Sequence, residues 1–140
     1  MSEYIPTKLR SFVSLRADDS CEYCLIPALF SFFKFHLDHI ISLKHGGKTK
    51  AENLANSCSI CNENKGSDIA TFIDTPNNLV RFFNPRIDNW KDHFRLDISG
   101  EIIAKTDIGK ATMKIFKFNN IESIIERKGL IEKGWFKNIF

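Results

Sequence analysis

No apolar run in this sequence approaches the roughly 20 residues that a membrane-crossing helix needs. The opening Met1-Ser2-Glu3-Tyr4-Ile5-Pro6 lacks the basic start and hydrophobic centre of a secretory signal. A cytoplasmic setting without a membrane partner is therefore expected. Neither sign of charge dominates, since 20 Lys and Arg against 17 Asp and Glu leave +3. That mild basicity permits a nucleic-acid partner without arguing for one. Internal repeats and low-complexity linkers are also lacking, so an array or a tail is not indicated. Cysteine is scarce, and the four present, Cys21, Cys24, Cys58 and Cys61, fall into two Cys-x-x-Cys pairs. In a reducing compartment two disulfides are disfavoured, and this spacing suits four thiolates on one structural Zn2+; a disulfide or plain buried thiols are the alternatives.

With 140 residues, 43% of them hydrophobic, the chain is long enough for one folded unit and too short for two full domains. Leu9, Phe12, Val13 and Arg16 recur at helical spacing and predict a helix ending near 17–20. The apolar stretch from Leu25 to Phe35, with Leu29, Phe30, Phe32 and Phe33, reads as core packing in preference to a base-stacking platform. A strand is expected from Phe35 to Leu43, then a turn at His45-Gly46-Gly47, a returning segment from Thr49 to Asn56, and a Cys58–Cys61 knuckle. The knuckle leads into a helix carrying Asn62, Lys65, Ile69, Phe72 and Ile73, which Thr75-Pro76-Asn77-Asn78 stops. Beyond it come strands over 79–83 and 94–98, the second in a hairpin with 101–106. One helix follows over 112–127, and Gly129 separates it from a short tail with Trp135 and Phe136.

Hydrolysing a phosphodiester requires an activated water, a cation at the phosphate, and groups that align them. A histidine side chain can accept the water's proton, which suits His39, while Asp38 and Asn62 offer hard oxygen ligands suited to Mg2+ or Mn2+. The block Phe35 to Gly66 holds Asp38-His39, Gly46-Gly47, Asn53-Leu54 and Cys58-x-x-Cys61-Asn62 in one order. In that order and spacing it resembles the HNH endonucleases, the ββα-metal or His-Me finger nucleases, in their form with a four-cysteine zinc centre. The resemblance spans about Cys21 to Gly66.

It implies an α+β fold with a ββα-metal core stapled by the four-cysteine zinc site, a C-terminal β-hairpin and helices. Residues 1–75 would form the nuclease core and 76–140 an extension packed on it. It further implies that Asp38 and Asn62 ligate the catalytic ion, that His39 is the general base, and that Asn53 fixes the loop orienting His39. Ser42 stands where the family commonly carries proline, a departure that bears on loop rigidity. The segment Arg81 to Arg86 with Trp90, His93 and Phe94 more loosely resembles an extension of small bacterial members.

Asp38 and His39 are neighbours, and on a regular strand they would point to opposite faces, so a twist or bulge is expected there. His36, two residues before Asp38, is a candidate partner behind the ligands or a phosphate contact, or a structural histidine. Lys65, Lys44, Lys48 and Lys50 are candidate phosphate contacts or a solvated face, with the same choice for Arg81, Arg86 and Arg95. His45 reads as an exposed loop residue and His93 as structural. The expected partner is DNA, double-stranded in the first instance, and the apolar C-terminal helices offer a surface for a homodimer. The rival readings are a catalytically silent zinc-ribbon DNA-binding module and a structural zinc protein that mediates protein contacts.

Overall fold

The computed structural model describes residues 4–31 and 34–140, so Phe32 and Phe33, placed in a core by their sequence, lie outside the described residues. The chain mixes helix and strand and divides into two compact units. The first comprises Met1–Ile69 with Asn84–Arg86, the second Ala70–Phe83 with Ile87–Phe140. No described helix is long and apolar enough to cross a membrane.

In the first unit, α1 (Thr7–Arg16) begins after Pro6, whose fixed φ suits a helix start. Val13 is wholly buried against Ile5 and Leu54, with Leu9 and Leu37 at the edge. β1 (His36–His39) and β2 (Leu54–Ser57) pair antiparallel, Asp38 opposite Ala55 and His39 opposite Leu54. This register is unbroken, so no bulge interrupts the strand at Asp38-His39. Instead the strand ends at His39.

α2 (Ser59–Lys65) starts on Cys58, whose Sγ accepts from the Cys61 N–H, and stops at Gly66. The sequence suggested a helix running on to Ile73. Gly66, at φ 53° and ψ −129°, adopts a conformation that only glycine takes up readily, and this ends it. The apolar positions that extended the periodicity belong to a strand of the second unit and its flanks. Leu29 and Phe30 also depart from expectation. The tight turn Ala28–Phe30 is pinned by the Ala28 N–H on Asp19 O, and leaves Leu29 80% exposed and Phe30 outward as well.

The second unit holds two hairpins, β3 (Ala70–Phe72) with β4 (Leu79–Arg81) and β5 (Phe94–Leu96) with β6 (Ile102–Ala104). A one-turn helix, α3 (Trp90–His93), precedes β5. Its core is aromatic: Phe82 on Phe116, Phe83 on Phe94, and Phe94 on Phe118 meet edge to face at 5.2 to 5.5 Å between centroids.

The single C-terminal helix expected over 112–127 is two, α4 (Asp107–Phe116) and α5 (Ile121–Glu132). Lys117 turns left-handed at φ 59° and ends the first; Asn120 caps the second through the Ser123 N–H. Between them Asn119 brackets Ile102 N–H and O, which fixes the break against β6. Gly129 lies inside α5 and separates nothing. Arg127 is fully buried and donates to the carbonyls of Gly100 and Phe118 and to Asn119 Oδ1.

Candidate metal centre and adjoining cleft

The two Cys-x-x-Cys turns converge. The four Sγ atoms all lie within 4.8 Å of one another, every cysteine is buried, and the Sγ of Cys24 and Cys58 are 3.6 Å apart. A tetrahedron of Zn–S bonds near 2.3 Å has sulfur–sulfur edges of about 3.8 Å, so the cluster already has the dimensions of a zinc centre. Each turn also folds an amide onto its first sulfur, Cys24 N–H on Cys21 and Cys61 N–H on Cys58, both at 3.4 Å.

Burial pushes the Cys21 thiol up, yet hydrogen bonds from Cys24, Cys58 and Cys61 outweigh it and hold Cys21 well below its ordinary value. Burial, then the neighbouring sulfurs, drive Cys61 well above. Such mutual bonding stabilises one thiolate among thiols, whereas four thiolates together require a cation. The cluster therefore suits a bound metal, and its ligand type and geometry suit zinc.

Tyr23, between the first two cysteines, is buried and donates its hydroxyl to Asp38 Oδ2 at 2.6 Å. Lys65, on the last turn of α2, donates from Nζ to Asp38 Oδ1 at 3.0 Å and to the His39 carbonyl at 2.9 Å. Asp38 and Lys65 are only 4% and 2% exposed, so this is an ion pair removed from water. Desolvation raises the Asp38 carboxyl above its usual range, against the opposing pull of the Lys65 charge and of the Tyr23 and Lys65 hydrogen bonds. Burial, and after it the Asp38 charge, push the Tyr23 phenol well above its ordinary value, so it stays a donor.

His39 is held differently. Its Nε2 lies 2.9 Å from Thr49 Oγ1. Asn53 closes the intervening loop: its Oδ1 accepts from the Ile41 N–H, and its Nδ2 donates to the carbonyls of Ile41 and Lys48, each at 2.9 Å. Thr49 follows Lys48 directly, so the Asn53 bonds end one residue from the hydroxyl that His39 meets. Gly47 packs so closely under this clamp that a Cβ would stand 1.7 Å from the Ile41 carbonyl oxygen. Ser42 adopts φ −62°, the value a proline would impose, and its 7% exposed side chain leaves Oγ without a partner among the described residues.

A cleft of about 1000 Å³ runs past these groups. Asp38, His39 and Asn62 line it together with His36, Arg10 and Lys44. Asn62 is half-buried and has no side-chain partner among the described residues. His36 shares the strand face of Asp38 but is exposed. Lys65 points inward to Asp38 and not to solvent. Lys48 and Lys50 are not among the residues lining the cleft, and His45 is an exposed residue of the turn before Gly46. Arg86 is spent inside the unit on Glu22 and the Leu54 carbonyl. In the second unit Arg81 pairs with Asp88 and Arg95 with Asp97, while the ring of His93 meets Thr106 Oγ1 at 2.7 Å.

Three residues that sequence did not single out stand at the site: Tyr23, Thr49 and Arg10. The signal at Tyr23 was its place between two cysteines expected to be buried, although Glu22 shares that place and stays half-buried. Thr49 carried none, its role depending on a clamp that only the fold reveals.

Residues 21–68 match the family model described as HNH endonuclease. No curated protein and no solved structure matches the chain.

Proposed function

We propose that this protein is a metal-dependent endonuclease of the ββα-metal type that hydrolyses DNA phosphodiester bonds. What supports the reading is one cleft lined by Asp38, His39 and Asn62, beside a four-cysteine centre and within the segment that matches the family. In the tautomer whose Nε2–H donates to Thr49 Oγ1, the His39 Nδ1 carries the lone pair that accepts a proton from water in the cleft. Asn53 keeps that imidazole from swinging by holding both ends of the loop.

Asp38 and Asn62 are the residues that would hold a catalytic ion. Each Asp38 oxygen accepts one identified bond, and a carboxylate offers about four acceptor sites, so lone pairs remain. Mg2+ or Mn2+, when bound, would neutralise charge on the phosphate and the departing oxygen. The four cysteines hold a separate, structural zinc.

A second reading has its own supporting observation. Asp38 is already engaged by Tyr23 and Lys65, as it would be in a scaffold that binds DNA without cutting it. Supercoiled plasmid incubated with Mg2+ or Mn2+ separates the two. Relaxed or linear product that falls by at least about a hundredfold in His39→Ala supports hydrolysis. Binding without cleavage in either ion supports the silent module. Cleavage at the wild-type rate in His39→Ala would remove the general-base assignment.

A further inference from the structure

Arg10 stands on the exposed face of α1, outside the family-matched segment, yet it lines the same cleft as His39. Its Nε donates to the Ile5 carbonyl at 3.2 Å, and Ile5 is buried in the small core with Val13 and Leu54. The guanidinium is thus anchored at its root. Of its five N–H donors this uses one, and the four on the terminal nitrogens have no partner among the described residues.

The other two arginines of this unit's described structure are committed internally. Arg16 donates to the Leu54 carbonyl at 2.8 Å, and Arg86 reaches Glu22 and the same carbonyl. Arg10 makes no ion pair among the described residues, and the first turn of α1 holds no acidic residue to offset it. Among the described residues the cleft offers no anion for it either, because Asp38 is the one carboxylate in that lining and Lys65 already neutralises it. Lys44, from the turn after β1, adds a second uncompensated cation to the lining.

An anchored, uncompensated guanidinium fork at the wall of a cationic cleft fits one kind of group well: a phosphate oxygen pair, which it engages with two parallel charge-assisted hydrogen bonds. We propose that Arg10 is a substrate-binding residue that grips a backbone phosphate of the nucleic acid in the cleft, beside the bond that His39 addresses. This rests on the nuclease reading for its substrate class. The contact is to the backbone and carries no base sequence.

The test is fluorescence anisotropy of a labelled DNA duplex across a range of salt, without added divalent ion, on wild type, Arg10→Met, Arg10→Lys and Lys8→Met. Lys8 is an exposed lysine of α1 that does not line the cleft. Zinc content and strand-amide protection establish that each variant is folded. Arg10→Met is expected to weaken binding by roughly ten- to a hundredfold and to reduce the salt slope by about one. Arg10→Lys should keep the slope but not recover the affinity, since an ammonium cannot replace the fork. Lys8→Met should change affinity by less than about threefold.

Equal effects of Arg10→Met and Lys8→Met, or none from Arg10→Met, would overturn the phosphate grip. Wild-type plasmid cleavage, run alongside, separates the two levels. Cleavage with an inert Arg10 sinks only this inference. Binding that depends on Arg10 without cleavage supports it while removing hydrolysis. Wild-type protein that neither binds nor cuts removes both.

Discussion

Replacing Lys65 with methionine keeps most of the aliphatic stem and deletes the charge, leaving the Asp38 carboxylate, only 4% exposed, with Tyr23 as its remaining identified side-chain donor. Removing one partner of a buried pair typically costs about 3–5 kcal/mol. An independent bound comes from the alternative open to the carboxylate, which is to take up a proton. An aspartate with an unfolded pKa near 3.9, held neutral at pH 7, costs about three units at about 1.4 kcal/mol each, or about 4 kcal/mol. The two estimates agree, so a loss of about 3–4 kcal/mol is expected at pH 7.

The sign of the pH dependence follows from the raised Asp38 pKa. A carboxyl raised by folding favours the folded state fully below its unfolded pKa, and that contribution is lost as pH climbs through the folded value. Deleting Lys65 removes the main opposing influence and raises Asp38 further. The variant's deficit should therefore shrink on acidification, to about 1.5 kcal/mol at pH 5 by the same bound. Both tryptophans, Trp90 and Trp135, belong to the second unit, so fluorescence does not report on this site. Native-state hydrogen exchange of amides such as Ile40 N–H, bonded to the Asn53 carbonyl, does. A deficit below about 1 kcal/mol, or one equal at pH 5 and pH 7, would refute the view of Asp38 and Lys65 as a desolvated pair.

Elemental analysis should find one zinc per chain, and Cys58→Ser or a strong chelator should abolish amide protection in the first unit, because metal binding there is folding free energy. Protein that is folded and zinc-free would contradict the centre. Gly47→Ala should cost about 2–4 kcal/mol and most of the plasmid cleavage, since its Cβ cannot coexist with the Ile41 carbonyl at 1.7 Å. Unchanged cleavage would mean that the loop does not position His39. Ser42→Pro should stabilise by about 0.5–1 kcal/mol in a denaturant titration, because φ already matches proline and a buried unpartnered hydroxyl is removed. A loss would show that the Ser42 N–H or its neighbour at 41 needs a freedom proline denies.

How legible each part was in the sequence depends on the range of the interaction that decides it. The cysteine pairs and the Asp-His, Gly-Gly and Asn-Leu steps sit at fixed short spacings: the cysteines gather into one cluster, Asp38 and His39 line one cleft, and Gly47 and Asn53 close the loop after them. Periodicity misled where a single residue breaks it. Ile69, Phe72 and Ile73 continue a helical pattern after Lys65, but Gly66 ends the helix before they can join it. Met113, Phe116, Ile121 and Ile124 likewise continue one pattern across Lys117, whose left-handed turn depends on Asn119 finding Ile102 some 17 residues away. No window of local sequence contains that bond.

Asp38 ties the four-cysteine cluster to the cleft. Asp38 is gripped by Tyr23, which lies between Cys21 and Cys24, and by Lys65, four residues after Cys61 on the helix that the second cysteine pair begins. Both hands on the carboxylate are thus extensions of the two Cys-x-x-Cys turns. Because it is held from both turns, the separation between the cysteine pairs sets the separation between the phenol and the ammonium that meet across Asp38. A change that loosens the tetrahedron without unfolding the unit should therefore act first on Asp38, and through the Lys65 bond to the His39 carbonyl on the strand end that carries the proposed base.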